Sequence, residues 1–139
     1  MRVYLAAAFS RQAEIKEVAA RLENLGVMVT SRWLYAESMF HKPTLSRVED
    51  AFADIRDLRE ADILIRFADI TDSSTVPSRL ISGARMFECG LAWERGMPIF
   101  VVQGKQNVFD YFPNIVHFAT VDDLLQYFTE SKPSAEKPV

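Results

Sequence analysis

The sequence holds a single cysteine, Cys89, in 139 residues. Neither a disulfide within the chain nor a cysteine-built metal site can form. Histidine is almost as scarce: His41 and His117 are the only two, neither has a partner at metal-ligand spacing, and both read as structural or exposed. Long hydrophobic runs are missing. No apolar stretch approaches the ~20 residues of a membrane-spanning helix, and the apolar start Met1-Arg2-Val3-Tyr4-Leu5-Ala6-Ala7-Ala8 is too short and abrupt for a secretory signal. The expectation is a cytoplasmic protein with no membrane partner. Net positive charge is missing too: 16 Lys and Arg face 19 Asp and Glu, for a formal charge of −3. That balance argues against a nucleic-acid partner, which calls for a basic face. It leaves room for a small anion held by a few local groups.

What is present suits one folded domain. Hydrophobic residues make up 49% of the chain, too many for a disordered one, and the length allows a sizeable core. Residues 2–8 read as a short, doubly buried strand, with Ser10 as candidate N-cap of the helix that follows. Ile15, Val18, Ala19, Leu22 and Leu25 form its amphipathic stripe, and Gly26 stops it. Val27–Thr30 is a second strand. Residues 31–45 are irregular and aromatic, with Trp33, Tyr35, Phe40 and His41; this loop either covers a flat ligand or packs over the domain edge. Residues 45–60 form a second helix with Val48, Ala51, Phe52 and Ile55 inward. Asp50, Asp54 and Asp57 fall on one side of it, Asp50 and Asp54 as a solvated face. Asp57 lies near the helix C-terminus, where the dipole disfavours a carboxylate, a hint of function. Ala61–Phe67 is a third strand carrying an unusual Arg66, placed to reach a ligand or to pair with Asp57 or Glu88. Pro98–Val102 and Ile115–Phe118 are strands four and five. Residues 121–129 make a last helix with Val121, Leu124, Leu125 and Phe128 apolar. The domain is expected over residues 1–130, with a disordered tail at 131–139. Strands alternating with helices give an α/β fold: a flavodoxin-like or Rossmann-like parallel five-stranded sheet with helices on both faces.

Ligands in such folds sit beyond the carboxyl ends of the strands. The stretch Ser82-Gly83-Ala84-Arg85-Met86-Phe87-Glu88-Cys89-Gly90-Leu91-Ala92 falls there. It opens a helix that ends at Arg95-Gly96. Glu88 shares a helical face with Ala84, Leu91 and Ala92, so it is either a partly desolvated carboxylate fit to act as nucleophile or base, or an exposed helical glutamate. Ser82 is either the N-cap or, with the N–H groups at Gly83, an anion ligand. Cys89 reads as a small buried hydrophobe.

These residues resemble the nucleoside deoxyribosyltransferase-like superfamily, which contains base-exchanging transferases and nucleoside 5′-monophosphate N-glycosidases. The resemblance covers roughly residues 2–118. It rests on Val3-Tyr4-Leu5-Ala6-Ala7, on Arg56-Asp57-Leu58-Arg59-Glu60-Ala61-Asp62, on the Ser82–Ala92 stretch, and on Gly96-Met97-Pro98-Ile99. It implies that Glu88 attacks the anomeric carbon, that Asp57 is a proton donor or orienting acid, and that Tyr4 positions Glu88. The hydrolases tend to carry a serine at position 82 as a phosphate ligand, where the transferases carry an acid. Ser82, Gly83, Arg85, Ser10 and Arg11 are therefore the expected anion site; for Arg11 and Arg85 plain surface charge is the alternative. Phe9 and Trp33 are further substrate-binding candidates. The resemblance implies no metal or organic cofactor. It also implies a homodimer or higher homo-oligomer with shared active sites. The segment from Gln106 to Asn114, with Phe109, Tyr111 and Phe112, would be the interface, and Asn107 or Asn114 would reach the partner's site. An uncharged residue is expected where Arg66 stands. The implied activity is hydrolysis of a nucleoside 5′-monophosphate, a ribo- or deoxyribonucleotide, to base and sugar phosphate through a glycosyl ester. A base-exchanging transferase and a non-catalytic nucleotide sensor are the rival readings.

Overall fold

The computed structural model describes residues 1–36, 43–69 and 83–131. Strand β1 (Arg2–Ala6) is followed by a 3-10 turn at Phe9–Arg11 and by α1 (Gln12–Asn24). Then come β2 (Met28–Val29), a 3-10 turn at Arg32–Tyr35, α2 (Thr44–Glu60), β3 (Ile63–Phe67), α3 (Gly83–Glu94) and β4 (Ile99–Val102). A 3-10 turn at Val108–Tyr111, β5 (Ile115–Phe118) and α4 (Val121–Ser131) complete the chain. The strands form one parallel sheet in the order β2-β1-β3-β4-β5. This is the doubly wound α/β architecture expected from the alternation of elements.

Side chains alternate along a strand, and the two faces sort cleanly. Val3, Leu5, Ile63, Ile65, Phe67, Phe100 and Val102 pack with α1 and α4. Tyr4, Ala6, Leu64, Ile99 and Val101 pack under Leu58, Cys89 and Ala92 of α2 and α3. Arg66 falls on this second face by the same alternation. The α1 stripe is as expected: Ile15, Val18, Ala19 and Leu22 are buried and Leu25 packs against them. Gly26 ends the helix at φ +84°, a conformation that costs glycine least.

Four local expectations are corrected. The first strand stops at Ala6, and Ser10 lies in the 3-10 turn; the residue before α1 is Arg11, with no side-chain cap. The second strand is only two residues long. Helix α2 is phased differently: its buried residues are Asp57 and Leu58, Ile55 is half-buried, Val48 and Phe52 are 44% and 63% exposed, and Ala51 is exposed. Ser131 closes α4; the rest of the expected tail lies outside the described residues. Among the described residues no helix is long and apolar enough to cross a membrane.

Candidate active site

Tyr4 sits in mid-β1 on the face covered by α2 and α3, and is 1% exposed. Glu88, in the second turn of α3, is half-buried above it. The Tyr4 hydroxyl stabilises the charge of the Glu88 carboxylate. Burial, then the charges of Glu88 and Asp54, push the Tyr4 phenol far above its ordinary range, so it remains a donor. Burial also pushes Glu88 up to about 7; the Tyr4 hydroxyl and Arg85 pull the other way, and Asp54 adds repulsion. Glu88 Oε2 is buried without a hydrogen-bond partner among the described residues. A carboxylate steadied by Tyr4 and left with an uncommitted oxygen is equipped to attack an electrophilic carbon.

Asp54 is the residue missed by the sequence reading. It is not part of a solvated face: it is half-buried, and burial, with Asp57 and Asp50, raises it to about 6 against the pull of Arg32. It interacts electrostatically with both Tyr4 and Glu88. The signal was helical spacing. Asp54 stands one turn before Leu58, which faces the sheet, so the acid shares its side of α2.

Asp57 lies close by and is 2% exposed, but its oxygens are engaged elsewhere. Oδ2 accepts the Arg32 backbone N–H at 3.0 Å, and Oδ1 accepts Arg32 Nε at 2.7 Å and pairs with Nη2 at 2.7 Å. Its carbonyl accepts Thr30 Oγ1 at 2.8 Å. Asp57 thereby ties the chain after β2 to the end of α2. Trp33 follows in that segment. Its Nε1 donates to Leu5 O at 2.7 Å, and its ring meets Phe9 at 6.4 Å between centroids, tilted by 45°. Phe9 is 41% exposed, so one aromatic wall borders the end of β1. Phe40 and His41 lie outside the described residues.

Neither expected arginine is surface charge. Arg85 is 4% exposed and forks onto Asp69, Nη1 to Oδ1 and Nη2 to Oδ2, both at 2.9 Å. Burial opposes the Asp69 charge, but Arg85, Gln106 and Arg11 outweigh it and hold the carboxyl below its ordinary value. The Arg11 side chain is 11% exposed. It donates to Ala68 O at 2.8 Å, to Gln103 Oε1 at 2.7 Å and to Glu14 at 2.7 Å. It therefore joins the loops after β1, β3 and β4. Gln103 adopts φ +75° to meet it, a conformation that stores strain in a non-glycine residue. Both guanidinium groups thus brace the carboxyl rim of the sheet. Ser10 is exposed on that rim, and Gly83 opens α3 there. Ser82 lies outside the described residues.

Other expected residues fall apart from this cluster. Arg66 reaches neither Asp57 nor Glu88. It pairs with Asp110, Nη2 to Oδ2 at 2.6 Å, both side chains 1% exposed. Asn114 is exposed before β5, at the amino end of a parallel sheet and remote from the carboxyl rim. Asn107 is used locally: Oδ1 accepts the Phe109 N–H at 2.9 Å in a capping box with Asp110. His117 is exposed and meets Asp110 O through Nε2 at 2.7 Å.

The whole fold recurs in solved structures. A 2-deoxyribosyltransferase from the psychrotolerant bacterium Bacillus psychrosaccharolyticus superposes with a TM-score of 0.69 over 100% of this chain and 99% of its own, at 19% identity. The CMP N-glycosidase BcmB of Clostridium botulinum gives 0.55 over 91% and 97%, at 17% identity. A conserved protein from Enterococcus faecalis gives 0.61 over 94% and 98%, at 14% identity. No family model matches the sequence, and no curated protein matches it at significance. The likeness establishes a shared fold spanning nearly the full length of each of these proteins.

Proposed function

We propose that this chain belongs to the nucleoside deoxyribosyltransferase-like superfamily and hydrolyses the N-glycosidic bond of a nucleoside 5′-monophosphate, a ribo- or deoxyribonucleotide. The observation that carries this reading is Glu88: a half-buried carboxyl, held by Tyr4, with one free oxygen, beside a second carboxyl at Asp54. In the first step the Glu88 carboxylate attacks C1′ as the C1′–N bond breaks. The bonding pair leaves with the base, which takes a proton from Asp54, and a glycosyl ester remains. In the second step Asp54, now a carboxylate, removes a proton from water. The water oxygen bonds to C1′ and the ester C–O pair returns to Glu88. This is the retaining logic of paired carboxyls. Asp54 takes the acid role expected of Asp57, because the Asp57 oxygens are already engaged by Arg32. Asp57 becomes an orienting residue.

The phosphate preference rests on the serine at position 82, which directly precedes α3 in the sequence and where an acid would repel the phosphate; the uncharged Ser10 on the carboxyl rim adds to it. Phe9 and Trp33 supply the flat surface for the base. The reading includes a homodimer with shared sites, in the cytoplasm, where a free buried Cys89 is at home. The base-exchanging transferase is the second reading, favoured by the full-length likeness to a deoxyribosyltransferase. Incubation with a panel of nucleoside monophosphates, with and without excess free bases, tests the assignment. Free base and sugar phosphate are expected. Predominant base exchange establishes the transferase, and tight binding without product establishes the sensor.

A further inference from the structure

On the far side of α3 from Glu88 lies a cavity of about 390 Å³, within the range of small-molecule sites. Trp93, Phe109 and Phe112 wall it, Gly90 opens it, and Arg66 and Asp110 line it. Trp93 and Phe112 are stacked, their centroids 4.4 Å apart and their planes at 26°. The ion pair is half-closed. Arg66 Nη2 donates to Asp110 Oδ2 at 2.6 Å, and Oδ2 also accepts the N–H groups of Gln106 and Asn107 at 2.7 and 3.3 Å. Among the described residues, Arg66 Nη1 meets only the weak acceptors Met86 Sδ at 3.1 Å and Cys89 Sγ at 3.8 Å. Arg66 Nε and Asp110 Oδ1 have no hydrogen-bond partner among the described residues, although both side chains are 1% exposed. A buried donor and a buried acceptor left open are costly unless something else completes them.

We propose that this cavity is a second binding site, separate from the Glu88 cluster, for a flat, neutral heteroaromatic lactam. An N–H beside a C=O offers Asp110 Oδ1 its donor and Arg66 Nε its acceptor. The aromatic walls take the ring faces. The charges at the site cancel, so an anion would meet Asp110 and a cation would meet Arg66; a neutral ring meets neither penalty. Gly90 fits the same purpose. It is a poor residue for the middle of a helix, and a Cβ placed there would meet nothing within 4 Å. The open space beside α3 is therefore kept by a residue that helix formation alone would replace.

The probe is 2-quinolone, titrated calorimetrically into the full chain, with 1-methyl-2-quinolone as the analogue that keeps the carbonyl and loses the N–H. The parent lactam is expected to bind at least about tenfold tighter than the methylated ring, the factor that one unsatisfied buried group costs. It should also slow modification of Cys89, the single cysteine, by methyl methanethiosulfonate. Gly90→Leu fills the cavity without touching the ion pair. It should abolish 2-quinolone binding while thermal melting shows a folded chain. Glu88→Gln should bind 2-quinolone as the natural chain does. Equal affinity for the two rings, no binding at millimolar concentration, undiminished binding to folded Gly90→Leu, or loss of binding in Glu88→Gln would each overturn the proposal.

Discussion

Two carboxyls on facing helices, raised by burial to about 7 at Glu88 and about 6 at Asp54, titrate as a pair and share one proton between those values. The proposed chemistry runs through one arrangement of that singly protonated form, an ionised Glu88 with the proton on Asp54; because Glu88 is the higher of the two, this is the minor arrangement. kcat/KM should therefore follow a bell whose limbs fall near 6 and 7. Asp54→Asn removes the acid and the repulsion together. Cleavage should slow by about 10²- to 10⁴-fold, the alkaline limb should vanish, and a single acid limb should remain below about 7, where Glu88 ionises without the Asp54 charge to repel it. A pH–rate series that keeps its alkaline limb would return the acid role to Asp57. Glu88→Gln should abolish turnover and also change stability. Glu88 binds its proton more tightly folded than at the ordinary value of 4.5. Its contribution is thus whole below pH 4.5 and is lost as the pH rises through about 7, a loss of up to about 3 kcal/mol. The amide avoids that loss and keeps an oxygen for Tyr4. Thermal melts should place Glu88→Gln above the natural chain at pH 8 and level with it near pH 4.

Elements were legible where one period dominated. Buried parallel strands read as short apolar runs, and α1 carries an unbroken stripe, so sheet and helix order followed. Helix α2 misled because its most apolar stripe, Leu45, Val48 and Phe52, is exposed, while Asp57 beside Leu58 faces inward. A phase set by hydrophobicity therefore turned Asp54 toward solvent. The same limit applied at Arg66, whose partner Asp110 is 44 residues away, a pairing that only the tertiary fold supplies. Glu88 was legible from its helical face and gained its role from the resemblance, Tyr4 was found through the resemblance alone, and the strand alternation puts Tyr4 on the face that α3 covers. The N-terminus of α3 carries its own prediction. Ser82→Asp places a negative charge where the phosphate is proposed to lie. kcat/KM should fall at least about tenfold more for a nucleoside 5′-monophosphate than for the matching nucleoside, since like charges at close range cost over ~1 kcal/mol. Equal losses for the two substrates would remove phosphate recognition from this position.

At the scale of the whole molecule, the strand order changes direction between β1 and β3, the place where open α/β sheets bind ligands. Tyr4 stands on one of these strands, and α3 follows the other. Leu45, Val48 and Phe52 on α2 are 72%, 44% and 63% exposed, and Phe87 on α3 is 60% exposed. A second copy seated on this stripe would bury the apolar surface. The segment Phe109–Phe112, expected as the interface, is partly spent on its own chain: Phe112 stacks on Trp93 and meets Phe109 at 5.9 Å. The expected assembly is therefore a two-fold dimer built on α2 and α3. Phe52→Glu should shift the mass measured by light scattering from dimer to monomer, because a central aromatic anchor is worth about 2 kcal/mol or more. kcat/KM should fall with the dimer fraction and recover as protein concentration rises, which a purely local defect at Asp54 would not do. Tyr111→Glu should leave the mass unchanged. A dimer that survives Phe52→Glu but dissociates in Tyr111→Glu would move the interface to the aromatic segment. A fully active monomer of the natural chain would remove the shared site altogether.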